Sequence, residues 1–217
     1  MTPITNCVGC PVGDASNVGE GDRCPMTDRR WKSGAMLFSA GEPASAVWFV
    51  KKGTVVLSKP ADQPDADGIT WAVRGPGAFL GLEALVRDTY VDSARAVSDV
   101  CACVTSLREL EAWLDRKHTA ARAVLQCAVQ SQVDDSPRRA SADGSAVRRV
   151  AEWLLDGGHE QEWHGLPRRL VAGFLGMQPE TLSRALASLA TIGAVEVTRR
   201  SITVTNRDTL TQAAGRH

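Results

Sequence analysis

The residues of this chain with most scope for chemistry are its six cysteines, Cys7, Cys10, Cys24, Cys101, Cys103 and Cys127, three of which fall within the first 24 positions. Cys7-x-x-Cys10 brings two thiolates onto one metal, a spacing used by zinc sites and iron–sulfur clusters alike. Cys24 follows as a third sulfur donor, and like Cys10 it precedes a proline. Met1 to Cys7 lacks the charged and apolar regions of a signal peptide, and no apolar run is long enough to span a bilayer. A cytoplasmic protein with no membrane association is therefore expected, and in that compartment a metal or redox role is favoured over a structural disulfide. Cys101 and Cys103, two residues apart, would share one face of a strand, and periodicity alone does not separate them. Cys127 falls in a helical stretch, where a thiol behaves as a small apolar side chain. His118, His159, His164 and His217 form no ligand spacing, and no Ser-His-Asp set, Walker loop or H-E-x-x-H is present. No enzyme is expected.

A second constellation lies at Gly173-Phe174-Leu175-Gly176-Met177-Gln178-Pro179-Glu180-Thr181-Leu182-Ser183-Arg184. At 100° per residue, Leu182, Ala185, Leu186, Leu189 and Ile192 fall on one arc, while Glu180, Thr181, Ser183, Arg184, Ser188 and Thr191 fall on the other. Pro179 suits the first helical turn, so the helix is expected to start near Gln178. Leu170, Val171, Phe174 and Leu175 recur at helical spacing upstream, and Gly176 marks the turn between two helices. Arginine bonds bidentately to guanine and glutamate accepts from cytosine, so Arg184 and Glu180 suit base edges in a major groove, and Ser183 suits either bases or phosphate. Residues 194–198 and 201–205 alternate apolar and polar side chains around Arg199-Arg200, which predicts a β-hairpin with a basic tip near phosphates. The whole is a winged helix-turn-helix.

The elements that carry these groups differ in texture. From Gly34 to about Val104, short apolar runs at 35–38, 46–50, 54–57 and 69–73 are separated by glycine-rich turns, the pattern of a small β-roll or barrel. From Leu107 the period becomes helical, with Ala121, Leu125, Ala128 or Val129, and Gln132 or Val133 forming one narrow apolar stripe. Such a stripe packs on a partner or on the β-roll. Pro137 to Ser145 is rich in breakers and polar residues and is the expected hinge. The expected domains are thus a cysteine-bearing segment over 1–30, a β-roll over 31–115, a dimerisation helix over 116–140 and the DNA-binding domain over 141–217. Overall, 25 basic residues balance 25 acidic ones. From Pro137 onward, however, 11 arginines face 8 acidic residues, a basic bias compatible with phosphate binding.

This order, with GAMLFSAGEPASAVWFVKKGTVVL early and GMQPETLSRALASLATIGAVEV late, resembles the CRP/FNR transcription regulators over nearly the whole chain from Trp31. The resemblance implies an α+β fold: an N-terminal cyclic-nucleotide-binding-like β-roll, a long dimerisation helix and a C-terminal winged helix-turn-helix. It further implies a homodimer on double-stranded DNA with a two-fold symmetric site, with RNA polymerase as a partner. Glu180, Ser183 and Arg184 are similar to the E-x-x-S-R of the FNR branch, which would have them reading each half-site.

Cyclic-nucleotide binders of the family hold ribose and cyclic phosphate with the glutamate of G-E-L and the arginine of R-S. This chain has Gly81-Leu82-Glu83 and Asp92-Ser93 instead, so a cyclic nucleotide is not the expected ligand. The FNR branch holds a 4Fe-4S iron–sulfur cluster with three N-terminal cysteines and a fourth in the β-roll. By that resemblance Cys7, Cys10 and Cys24 are ligands, and counting back from Leu110 makes Cys103 the fourth, with Cys101 as the alternate. Thirteen residues separate Cys10 from Cys24, more than in that branch. Lengthening the loop from roughly six to fourteen steps costs only about 0.8 kcal/mol. Cluster loss to oxygen or nitric oxide would then release DNA, with repulsion between copies of Asp134 and Asp135 weakening the empty dimer. Zinc or a thiol–disulfide switch on the same fold, a haem-binding regulator, and an iron–sulfur electron carrier or redox enzyme are the alternatives.

Overall fold

Alternating apolar residues and glycine turns build two four-stranded antiparallel sheets in the first half of the chain. The computed structural model describes Cys10 and residues 24–60, 69–140, 144–156, 167–198 and 201–215. Their strands in chain order are β1 (Thr27–Trp31), β2 (Met36–Phe38), β3 (Ala46–Lys52), β4 (Val55–Lys59), β5 (Ile69–Arg74), β6 (Phe79–Leu80), β7 (Ser93–Ala96) and β8 (Val100–Ser106). One sheet runs β1-β8-β3-β6 and the other β2-β7-β4-β5. The four runs legible in the sequence became β2, β3, β4 and β5. β1, with four of its five residues exposed, carries no apolar run by which it could have been found.

Val47, Phe49, Val50, Val55, Ala72, Ala94, Ala96 and Ala102 are fully buried between and around these sheets. Phe38 stacks on Tyr90 with ring centroids 4.3 Å apart, and Trp48 closes the group 4.8 Å from Phe38. The Tyr90 hydroxyl accepts from the Ala46 N–H at 2.9 Å and donates to the Ala46 carbonyl at 2.8 Å, so the buried phenol is satisfied by one strand end.

Ser106 ends β8 and caps helix α1 (Leu107–Arg116). Its hydroxyl accepts from the Glu109 N–H while the Glu109 carboxylate accepts from the Ser106 N–H, each at 3.2 Å, a reciprocal capping box. Leu110 and Trp113 of α1 are buried in the core. Helix α2 (His118–Ala140) follows and runs through Pro137 into the start of the expected hinge. Ala120, Ala123 and Val124 of α2 are buried, whereas Leu125, Val129 and Val133 are 63%, 52% and 56% exposed. For Asp134 and Asp135 only the helical backbone lies within the described structure.

The chain divides into two compact units, Thr2–Gln132 and Val133–His217. The second contains α3 (Ala146–Asp156), α4 (Arg168–Phe174), α5 (Pro179–Thr191), the hairpin β9 (Val195–Val197) and β10 (Ile202–Val204), and α6 (Arg207–Ala213). Its core is Val150, Ala151, Leu154, Ala172, Leu182, Leu186, Leu189 and Leu210, each 3% exposed or less.

Gly53 closes the β3–β4 turn at φ +89°, where a Cβ would collide with the Asp99 carbonyl and approach the Val100 Cα to 2.9 Å. Both obstacles are backbone. Gly53→Ala should therefore destabilise the first unit by more than about 2 kcal/mol, measured by urea unfolding; an unchanged midpoint would contradict this account of the turn.

Candidate nucleic-acid interface and cysteine site

Helix α5 begins as its sequence dictates. Gln178 is its N-cap, in extended conformation, and Pro179 occupies the first helical position, where no N–H is required. Gly176 takes φ +60° in the turn between α4 and α5. The inner arc is buried at Leu182, Ala185, Leu186 and Leu189, all 2% exposed or less. Ile192 departs from the expected arc and is 51% exposed. The helix ends at Thr191, and Gly193 with φ +73° turns the chain, so the helical wheel no longer applies there. On the outer arc Glu180, Arg184, Ser188 and Thr191 are exposed, while Thr181 and Ser183 are partly exposed. The Ser188 and Thr191 hydroxyls donate to the carbonyls of Arg184 and Ala187, leaving Glu180 and Arg184 as the charged groups of this face.

The wing is shorter than its alternation suggested, with three residues per strand. Its tip is closed by Thr198 and Ser201: the Thr198 N–H donates to the Ser201 carbonyl at 2.9 Å, the Ser201 N–H donates to Thr198 Oγ1 at 2.9 Å, and the two hydroxyls lie 2.7 Å apart. Arg199 and Arg200 lie outside the described residues. Arg168, which sequence reasoning did not single out, donates from Nη2 to the Thr198 carbonyl at 3.1 Å and ties the start of α4 to the wing. The only trace of this in the sequence is an arginine pair just after Pro167.

In the first unit, β8 pairs with both β1 and β3. Its register sets Cys103 opposite Asp28 and Phe49, and Cys101 opposite Arg30 and Lys52. The two cysteines share a face, yet burial separates them. Cys103 is 7% exposed and belongs to the apolar core with Cys10, which is 5% exposed. Cys24 and Cys127 pack against that same core. Burial, and secondarily the nearby Cys10 sulfur, pushes the Cys127 thiol up. Cys7 lies outside the described residues. Among the described residues, no three Cys, His, Asp or Glu side chains converge closely enough to hold a metal ion.

Two residues beside Cys103 escaped notice in the sequence. The Cys103 thiol donates to Asp28 Oδ1 at 3.2 Å, and the Lys51 ammonium donates to both Asp28 oxygens at 2.9 and 3.1 Å. Lys51 holds the Asp28 carboxyl below the usual range; partial desolvation opposes this and Cys103 reinforces it. Lys51 interrupts an otherwise apolar strand, and Asp28 follows Cys24 by four residues.

At the loop before β7, Asp92 is 5% exposed. Burial pushes its carboxyl up, while the Trp71 indole N–H, Lys59 and Arg74 act in the opposite direction. Burial, and secondarily Asp92, also raises Glu83. A buried carboxyl thus stands here with a second acid nearby.

A β-roll, a long helix and a winged helix-turn-helix with an exposed polar recognition face define a DNA-binding regulator built from two modules. Residues 28–117 match the cyclic nucleotide-binding domain, and residues 148–213 match the Crp-like helix-turn-helix domain. The chain belongs to the CRP/FNR family of transcription regulators. It is similar to the transcriptional regulatory protein btr of Bordetella pertussis, with 24% identity over 94% of this chain and 88% of that protein. The transcriptional activator protein anr of Pseudomonas aeruginosa is 22% identical over 99% of this chain and 90% of its own length. Among solved structures, FixK2 from Bradyrhizobium japonicum superposes with a TM-score of 0.75 at 24% identity, covering 87% of this chain and 96% of that one. That likeness shows the fold. No helix among the described residues is long and apolar enough to cross a membrane.

If Arg184 reads a base edge, Arg184→Ala should lose about 1–3 kcal/mol of DNA affinity at one base position and leave non-specific binding nearly intact. Fluorescence anisotropy on a panel of single-base operator variants measures this, and an equal loss on every sequence would assign Arg184 to phosphate instead.

Proposed function

We propose that this transcription regulator senses oxygen, nitric oxide or redox state through an iron–sulfur cluster, of the 4Fe-4S type, held by Cys7, Cys10, Cys24 and Cys103. The observation that carries the reading is that Cys10 and Cys103, 93 positions apart, are buried in one apolar core with Cys24 packed against it. Sulfur donors in an apolar, water-poor setting fit such a group chemically. Burial favours Cys103 over Cys101 as the fourth ligand. One-electron exchange and lability to oxygen and nitric oxide are what such a cluster supplies when bound. The chain's own residues do the rest: Cys10 and Cys24 fasten the N-terminal segment to the β-roll, and β8, which carries Cys103, runs directly into the capped start of α1.

Asp92 supports a sensor that does not use cyclic nucleotide, because a buried carboxyl offers a phosphate none of the positive charge that an arginine would. The regulator is read as a cytoplasmic homodimer that takes a two-fold symmetric DNA site and works with RNA polymerase, with no catalysis of its own. The dimer is supported by the exposed stripe Leu125, Val129 and Val133 on α2, each worth about 1.5–3 kcal/mol when buried. The alignment of Glu180, Ser183 and Arg184 on the free face of α5 would then be presented twice, about one helical turn of DNA apart.

Protein purified without oxygen should carry about four irons per chain with matching sulfide and a broad brown absorbance that bleaches in air. A colourless protein with bound zinc would replace the cluster by zinc. One with neither metal, but with a cysteine disulfide formed in air, would replace it by a thiol switch. Leu125→Asp combined with Val129→Asp should convert the dimer to monomer in light scattering and abolish tight operator binding, while the far-ultraviolet spectrum stays unchanged. A persistent dimer would place the interface elsewhere.

A further inference from the structure

Lys51 is the physical oddity of the β-roll. Its side chain is 4% exposed in a strand whose neighbours Val47, Phe49 and Val50 are fully buried and apolar. Burying an ammonium costs far more than burying a methionine of similar length, and the ion pair that offsets it seldom adds net stability. The backbone is shaped for this residue all the same. The β3–β8 register shifts between Val50 and Lys52, so Lys51 is the extra residue of a bulge, a device that re-aims a side chain. Re-aimed, the ammonium meets the carboxylate of Asp28, which is 59% exposed, on the same oxygen that receives the Cys103 thiol. The buried cation therefore stands two hydrogen bonds from the sulfur of Cys103. Arg30, on the same strand as Asp28, is exposed, and solvent screens it.

We propose that Lys51, kept in place by Asp28, is the buried counter-charge for a cluster bound at Cys103 and sets how readily that cluster is oxidised; the inference rests on the cluster reading above. A cubane with four thiolate ligands is an anion, and the apolar core around Cys103 gives it little solvation. When the Cys103 sulfur is taken by iron, its proton leaves and Asp28 loses that hydrogen bond. Lys51, joined to that site through Asp28, would then be a buried positive charge near the new negative one. Lys51 favours the more negative, reduced form, and Asp28 opposes it.

The test uses full-length protein reconstituted without oxygen, with the midpoint potential read by spectroelectrochemistry and the decay of visible absorbance followed in air. Lys51→Met should lower the potential and shorten the lifetime in air about tenfold, and Lys51→Arg should restore both. Asp28→Asn, which leaves the cation and removes the anion, should raise the potential. Opposite signs are what a purely structural pair would not produce. Potentials and lifetimes equal to wild type, or both variants moving the same way, would overturn the inference. Should Lys51→Met fail to fold, the sign of the Asp28→Asn shift alone decides. A wild-type chain that takes up no iron overturns the cluster reading, and this inference with it, whereas a loaded wild type with unmoved variants overturns this inference only.

Discussion

The register of β8 is the constraint on which the first unit depends. This strand pairs with β1 on one side and β3 on the other, carries both internal cysteines and ends in the N-cap of α1. Side chains alternate faces along a strand, so a slip of one position would turn Cys103 away from Asp28 and misplace the cap. Ala102 and Val100 hold the register by burial at 0% and 2%, and Ser106 holds the far end through its exchange with Glu109. Cys103 is therefore three residues from the Ser106 cap with which the helical part of the chain begins.

The DNA-binding unit solves a different problem, that of presenting charged groups without burying them. Four small or branched apolar residues on α5 pack at full burial, and the opposite arc keeps Glu180 and Arg184 in solvent. The Ser188 and Thr191 hydroxyls beside them bond to their own helix's backbone. The wing is braced from α4 by Arg168, so the short hairpin does not depend on its own three-residue strands for position.

Electrostatics divides the β-roll into two acidic or cationic settings of opposite meaning. At Asp92 and Glu83 burial disfavours the charged carboxylate. Beside Cys103 a buried ammonium is instead kept charged by the Asp28 carboxylate, at the cost of desolvation that an apolar side chain would have avoided.

Local rules made much of this legible without coordinates. Proline at the first turn and apolar residues at helical spacing located the start of α5 to within a residue and its buried face, because helix ends and faces are set by neighbours in sequence. Alternation and glycine turns located β2 to β5 for the same reason. Long-range pairing decided the remainder. β1 has no apolar pattern and exists because β8 offers it an edge; the deeper burial of Cys103 than of Cys101 comes from packing against distant residues, with Cys10 in that same core. The exposure of Ile192 reflects a chain reversal that a helical wheel does not contain, and the meeting of Lys51, Asp28 and Cys103 required three strands and a bulge. Sequence by itself determined the elements and the reading face, since both follow from contacts a few residues apart. Only the tertiary structure decided which charges and thiols meet, because those contacts span tens of residues.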